Sequence, residues 1–228
     1  MGIVLGTLKE QGIDEYMSCQ DSNTAEIELD ETSHLPRTFR VKNVNVATLR
    51  RKSGSTCGRV AHALVEFACA QSDIESNMDI PRANCMQNAI DRLLEQFQSS
   101  VDVQRLKVPK SAEGICFCIS KGFPVAAVLP VTEDIMERKV QCPPSAKATF
   151  AMMPVVIWGY SLVSRKFAIS VPLHMYTEPT TVSFEHVLDA ASCDLYVADI
   201  QVARDPLLDA SDSEDDQQDE DAALFVSD

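Results

Sequence analysis

Cys57 follows Gly54-Ser55-Thr56 and opens an apolar stretch. A Ser or Thr just ahead of a helix accepts the first unpaired backbone N–H groups. A thiol in that first turn meets the positive end of the helix dipole, which favours thiolate, the nucleophilic form. Thiolate attack on a carbonyl also needs a base in contact with the sulfur and a group that orients the base. His62 lies five residues after Cys57 on the same predicted helix, about 140° round the axis, so it faces elsewhere. It stands four residues before Glu66, the spacing of a surface pair. His34 and His186 read as surface or capping positions. The eight cysteines contain no C-x-x-C pair, and the close pair Cys116-Phe117-Cys118 has no nearby His. They read as reduced thiols, with no metal and no cofactor expected.

The elements that must hold Cys57 are legible in the spacing. Ala61, Leu64, Val65, Ala68 and Cys69 make one apolar stripe and predict a helix over Cys57–Gln71. A second helix is expected over about Ala83–Phe97, with Met86, Ala89, Ile90, Leu93, Leu94 and Phe97 on one face. A third runs over about Ser111–Lys121, with Ser111 as cap and Gly122 as stop. The pattern then changes. Phe123–Leu129 reads as a buried strand bounded by Pro130, Met153–Tyr160 and Lys166–Val171 as a hairpin, and Asp194–Ile200 as a further strand after a helical turn at Ser183–Ala190. Trp158 and Met152-Met153 read as core. A helical half followed by a strand-rich half indicates α+β.

Composition bounds the function. Hydrophobic residues at 45% supply an ordinary core, and no apolar run is long enough to span a membrane. Met1–Leu8 is short and has no basic residue, so no signal peptide is expected, and an intracellular, reducing location is. The net charge is −14, which argues against nucleic acid as a partner. Nine acidic residues, and no Lys or Arg, fall between Asp209 and Asp228. The expected organisation is an N-terminal extension over 1–34, a domain over 35–203 and an acidic, disordered tail over 204–228. Ser211 and Ser213 sit in acidophilic phosphorylation patterns, and Leu224, Phe225 and Val226 form an apolar end suited to a partner's groove. Arg50-Arg51-Lys52 with Arg59 is the one basic cluster. It reads either as a dock for an acidic partner or the chain's own tail, or as a solvated loop.

Five strings occur in order: S-G-S-T-C-G-R-V-A-H-A-L at Ser53–Leu64, K-G-F-P-V at Lys121–Val125, M-P-V-V-I-W-G-Y at Met153–Tyr160, K-F-A-I-S-V-P-L-H at Lys166–His174 and A-S-C-D-L-Y at Ala191–Tyr196. Over residues 35–200 this set resembles compact papain-like cysteine peptidases of bacteria and large DNA viruses. The resemblance implies a papain-like fold, with Cys57 starting a central helix at the nucleophile's place. It also implies departures. The family's base His falls on Met153 or, with a gap, on Phe150. Its orienting Asn falls on Val171, and its oxyanion Gln on Arg51. Met153, or Phe150, is therefore expected to face Cys57, with Val171 close behind. The reading that follows is a protein that is not an enzyme: a vestigial Cys57 on an interaction or structural scaffold. Its expected partners are proteins, capsid or other virion proteins among them. The alternative is an active cysteine peptidase in which His174, near the family's active-site Trp-Gly, replaces the lost base.

Overall fold

The computed structural model describes residues 34–42, 53–72, 77–97, 101–132, 150–172, 180–190 and 195–202, together with residues 27, 44, 49, 74 and 75. The expected tail over 204–228 and nearly all of the N-terminal extension lie outside them.

Helix α1 (Thr56–Gln71) starts where the sequence places it. Ser55 is its N-cap, and the Ser55 hydroxyl accepts from the Gly58 N–H at 3.0 Å. Thirteen of its sixteen residues are buried, including Arg59 and His62. An apolar stripe on one face predicts a half-buried helix; burial nearly all round makes this one central. It packs on α2 (Met86–Leu94) to one side and on the strands over Val125–Thr132, Phe150–Ser161 and Leu195–Val202 to the other. Helix α2 is shorter at both ends than the expected Ala83–Phe97, but it buries Met86, Ala89, Ile90 and Leu93 as the pattern indicates. Helix α3 (Ala112–Ser120) has Ser111 as its N-cap, accepting from the Gly114 N–H at 2.9 Å, and the chain turns away at Gly122 with φ +95°. Helix α4 (Phe184–Ala190) is the expected helical turn.

The strands are β1 (Thr38–Arg40), β2 (Val101–Val108), β3 (Val125–Thr132), β4 (Phe150–Ser161), β5 (Lys166–Ser170), β6 (Thr180–Ser183) and β7 (Leu195–Val202). They form one seven-stranded sheet in the order β2-β7-β3-β4-β5-β6, with β1 on β4, and every pairing is antiparallel. Pro130 does not end β3: the strand runs on to Thr132, with Pro130 opposite Met152. Pro130 has no N–H to give the ladder, and its carbonyl is bonded by His186 Nε2 at 2.9 Å.

Alternation of side chains splits the core in two. Ala126, Val156, Tyr196 and Ala198 face α1 and α2, in the cluster that holds Cys57. Val125, Ala127, Leu129, Met153, Val155, Ile157, Ile169 and Val197 face the other way, with Ile115 and Ile119 of α3 and Val187 of α4. The face toward α1 has two alanines among its four residues, so the helix can lie close to the sheet. The pairing of β4 with β5 shifts register between Ile157 and Gly159, which is a bulge at Trp158.

Candidate active site

Cys57 is the second residue of α1 and is 2% exposed. Three contacts fix the start of the helix around it. The Ser55 hydroxyl accepts from Gly58 N–H and from Ala83 N–H, both at 3.0 Å, and donates to the Pro81 carbonyl at 3.3 Å. Gly58 lies so close to Pro81 that a Cβ there would overlap the Pro81 carbonyl oxygen. The segment before α2 is thereby clamped to the turn that carries the thiol.

From the sheet, Ser170 brings a polar group to this side. It is opposite Val156 in the β4–β5 pairing, it is buried, and its hydroxyl accepts from the Trp158 indole N–H at 3.1 Å. Trp158 packs against the Cys57 cluster, and the Arg40 guanidinium lies over its ring at 5.8 Å. Sequence reasoning took Trp158 for plain core and passed over Ser170. The available signal was a lone hydroxyl in the apolar string K-F-A-I-S-V.

The histidines are placed apart from the thiol. His62 Nε2 is 3.1 Å from the Met78 carbonyl, and Glu66 Oε2 is 3.4 Å from its Nδ1. The i,i+4 pair therefore forms as expected, though with a buried ring and not at the surface. His186 is not a surface residue: it is 1% exposed on the far side of the sheet, bonded to Pro130. Burial holds its pKa below the ordinary value. His34 is exposed.

Met153 and Val171 do not approach Cys57 in the expected way. Met153 is fully buried, and both residues belong to the cluster on the α3 side of the sheet. The bulge is the reason. In an unbroken strand, Met153, seven residues before Tyr160, points to the opposite face from Tyr160. The extra residue at Trp158 restores Met153 to the same face as Tyr160. Phe150 is in β4, but its side chain is outside the described residues, as are Arg51, His174, Leu224, Phe225 and Val226. The basic cluster loses one member: Arg59 is 5% exposed, its Nη1 donates to the Leu49 carbonyl at 3.4 Å, and burial lowers its pKa.

The other thiols differ in setting. Cys69, Cys85, Cys116 and Cys118 are buried and, like Cys57, not in disulfides. Burial pushes the Cys116 and Cys118 thiols up to about 12 and the Cys69 thiol up to about 11. Among the described residues, no three His, Cys, Asp or Glu side chains converge as metal ligands, and no helix is long and apolar enough to cross a membrane.

No protein-family profile and no curated protein matches the sequence. Among solved structures, the chain is similar to xylellain, a cysteine protease from Xylella fastidiosa, at 11% identity and a TM-score of 0.60, over 81% of this chain and 95% of that one. It is also similar to digestive procathepsin L 3 of the Tenebrio molitor larval midgut, at 11% identity and a TM-score of 0.55, over 84% of this chain and 79% of that one. These neighbours correct the expectation that the chain is not an enzyme: the fold it shares with them is that of cysteine proteases. Met153 and Val171, taken as lost catalytic positions, belong to the core cluster on the other side of the sheet from the thiol. A buried helix led by Cys57 and packed on an antiparallel sheet is, in this chain, the papain-like α+β fold.

Proposed function

We propose that this protein is a papain-like thiol hydrolase of peptide bonds, with Cys57 as nucleophile and His174 as base. One observation carries the reading: Cys57 occupies the first turn of the Ser55-capped helix at the centre of this fold. There the positive end of the helix dipole favours a thiolate. Attack of the sulfur on a scissile carbonyl forms an acyl-enzyme, and the leaving amine takes a proton from the base. His34, His62 and His186 are committed elsewhere or exposed. His174 is the remaining histidine, and it follows Ser170 by four residues. The Ser170–Trp158 bond ties the end of β5 to the cluster that holds Cys57, which supports His174 as the partner.

The test is turnover of a broad peptide library by the full chain at neutral and mildly acidic pH, beside Cys57→Ala and His174→Ala. Cleavage that disappears in both variants is the expected result. No cleavage by the native chain, or cleavage that survives Cys57→Ala, rejects the reading. The partner class is polypeptide. Virion proteins are its narrower form, and co-purification with assembled particles is the measurement that separates them from cellular chains.

A further inference from the structure

An apolar cavity of about 120 Å³ opens on the α3 side of the sheet, away from Cys57. It is lined by Ile27, Leu106, Phe117, Cys118, Phe123 and Val197, with Lys121 also in its wall. Asp199 is its other charged neighbour. Cavities of about 150 Å³ take up a benzene ring, so this one is of the size of a single aromatic side chain. It also lies by the outer edge of the sheet. β2 is the end strand of the path, and among the described residues the Ile27 N–H bonds its free side, donating to the Lys107 carbonyl at 2.9 Å. An edge of this kind accepts extended chain.

We propose that the cavity is the docking site of the chain's own C-terminal segment Leu224-Phe225-Val226, with Phe225 filling it. Three observations select this occupant. The first is chemical: the segment is the apolar end of an otherwise acidic stretch, and the cavity is an apolar recess. The second is reach. β7 ends at Val202, five residues past Val197 of the cavity wall, a span of about 17 Å along a strand. A flexible linker of 21 residues, the number from 203 to 223, has a root-mean-square span of about 25 Å. The linker is therefore matched to the distance, which keeps the effective concentration of Phe225 at the cavity high. The third is charge. Lys110 and Lys121 bracket α3 at its two ends and are both exposed, and the arriving segment carries nine acids between Asp209 and Asp228. Such surface charges orient an encounter more than they hold it. The proposal is independent of hydrolysis at Cys57.

The experiment uses the full chain. A fluorescent peptide of residues 209–228 is titrated onto the native chain and onto full-length Phe225→Asp, whose own tail cannot fill the recess. Binding to Phe225→Asp about tenfold tighter than to the native chain is expected, because an intramolecular tail at roughly millimolar effective concentration competes. The same peptide with a benzophenone side chain in place of Phe225 is expected to crosslink to segments containing Leu106 or Phe117–Phe123. Adding Lys121→Glu, which reverses the positive charge beside Phe117 in the cavity wall, is expected to weaken binding at low salt. Equal affinity for the two chains, no binding to either, or crosslinks outside those segments overturns the proposal. So does a concentration-dependent dimer of the native chain that Phe225→Asp abolishes, since the tail then serves a second copy.

Discussion

Helices α1 and α3 are built alike and sit on opposite faces of one sheet. Each begins at a serine cap, Ser55 or Ser111, that accepts from the N–H of a glycine three residues on, Gly58 or Gly114. Each glycine is pressed against a proline carbonyl, that of Pro81 or Pro109. Each carries buried cysteine, and each side of the sheet holds a buried histidine whose Nε2 meets a backbone carbonyl, Met78 or Pro130. The difference is one of placement. The α1 thiol is at the second helical position, whereas Cys116 and Cys118 are at the fifth and seventh of α3. The same residue type under the same cap is a candidate nucleophile on one side and plain core on the other. Position relative to the helix end separates them, since the dipole's influence fades within the first turn.

The largest expected effect follows from that placement. With their thiols at about 12, Cys116 and Cys118 are thiolate to only about one part in ten thousand at pH 8. Labelling the folded chain with iodoacetamide and mapping the adducts should find Cys57 modified at least ~10-fold faster than either α3 thiol. Cys116 or Cys118 reacting first would break the comparison.

The glycines give the next largest difference. A Cβ at Gly58 overlaps the Pro81 backbone, while at Gly114 it comes within 2.7 Å of the Pro109 oxygen. Neither carbonyl can swing away as a side-chain end could. Alanine favours a helix by ~1 kcal/mol over glycine, but overpacking against backbone outweighs that gain. Gly58→Ala is expected to lower unfolding free energy by ~3 kcal/mol, and Gly114→Ala by ~1–2 kcal/mol. Urea melts at fixed pH measure both. Equal losses would mean that the clamp on the Cys57 turn is no tighter than its counterpart.

These twin helices were legible in the sequence because capping is local chemistry: Ser55, Ser111 and Gly122 mark their ends within a few residues. The faces of the sheet were not legible. Which face Met153 or Val171 takes depends on the bulge at Trp158, and a bulge is a property of two paired strands. A count back from Tyr160 alone inverts the face. β2 was missed because its alternation slips phase between Val103 and Leu106. β1 and β6, at three and four residues, exist through pairing with β4 and β5 and not through propensity. Ser170 gained a role only when β5 set it across from Val156 and within reach of Trp158.

Acid should discriminate between the two histidines. His62 Nδ1 has the Glu66 carboxylate 3.4 Å away. Nδ1 of His186 is buried with no hydrogen-bond partner among the described residues, and burial lowers its pKa from 6.5. A group whose folded pKa is depressed binds more protons when unfolded, so stability is full above 6.5 and is lost as pH falls below it. One proton limits the slope to about 1.4 kcal/mol per pH unit. Urea midpoints between pH 7.5 and 5.5 should fall in the native chain and fall less in His186→Gln, whose amide can still donate to Pro130. A parallel fall in both chains would assign the acid sensitivity elsewhere.

The smallest expected difference lies in the caps themselves. Removing a serine N-cap costs ~1 kcal/mol when it serves only the helix. Ser111 is of that kind: Gly114 N–H is the bond its hydroxyl is seen to make. The Ser55 hydroxyl also accepts from Ala83 N–H and donates to Pro81 O, so it joins α1 to the segment leading into α2. Ser55→Ala leaves the Ala83 and Gly58 N–H groups without their partner at a part-buried site, and Pro81 O with the Ser55 backbone N–H alone; unmet buried groups are costly. Ser111→Ala is expected to lower stability by ~1 kcal/mol and Ser55→Ala by ~2 kcal/mol. The difference of ~1 kcal/mol measures the tie between α1 and α2 apart from capping. Amide exchange gives an independent reading: Ala83 and the first turn of α1 should lose protection together in Ser55→Ala, while Ser111→Ala loosens the first turn of α3 alone. If Ser55→Ala leaves Ala83 protected, the clamp beside Cys57 rests on the close packing of Gly58 against Pro81, and the two helix starts are equivalent in their caps.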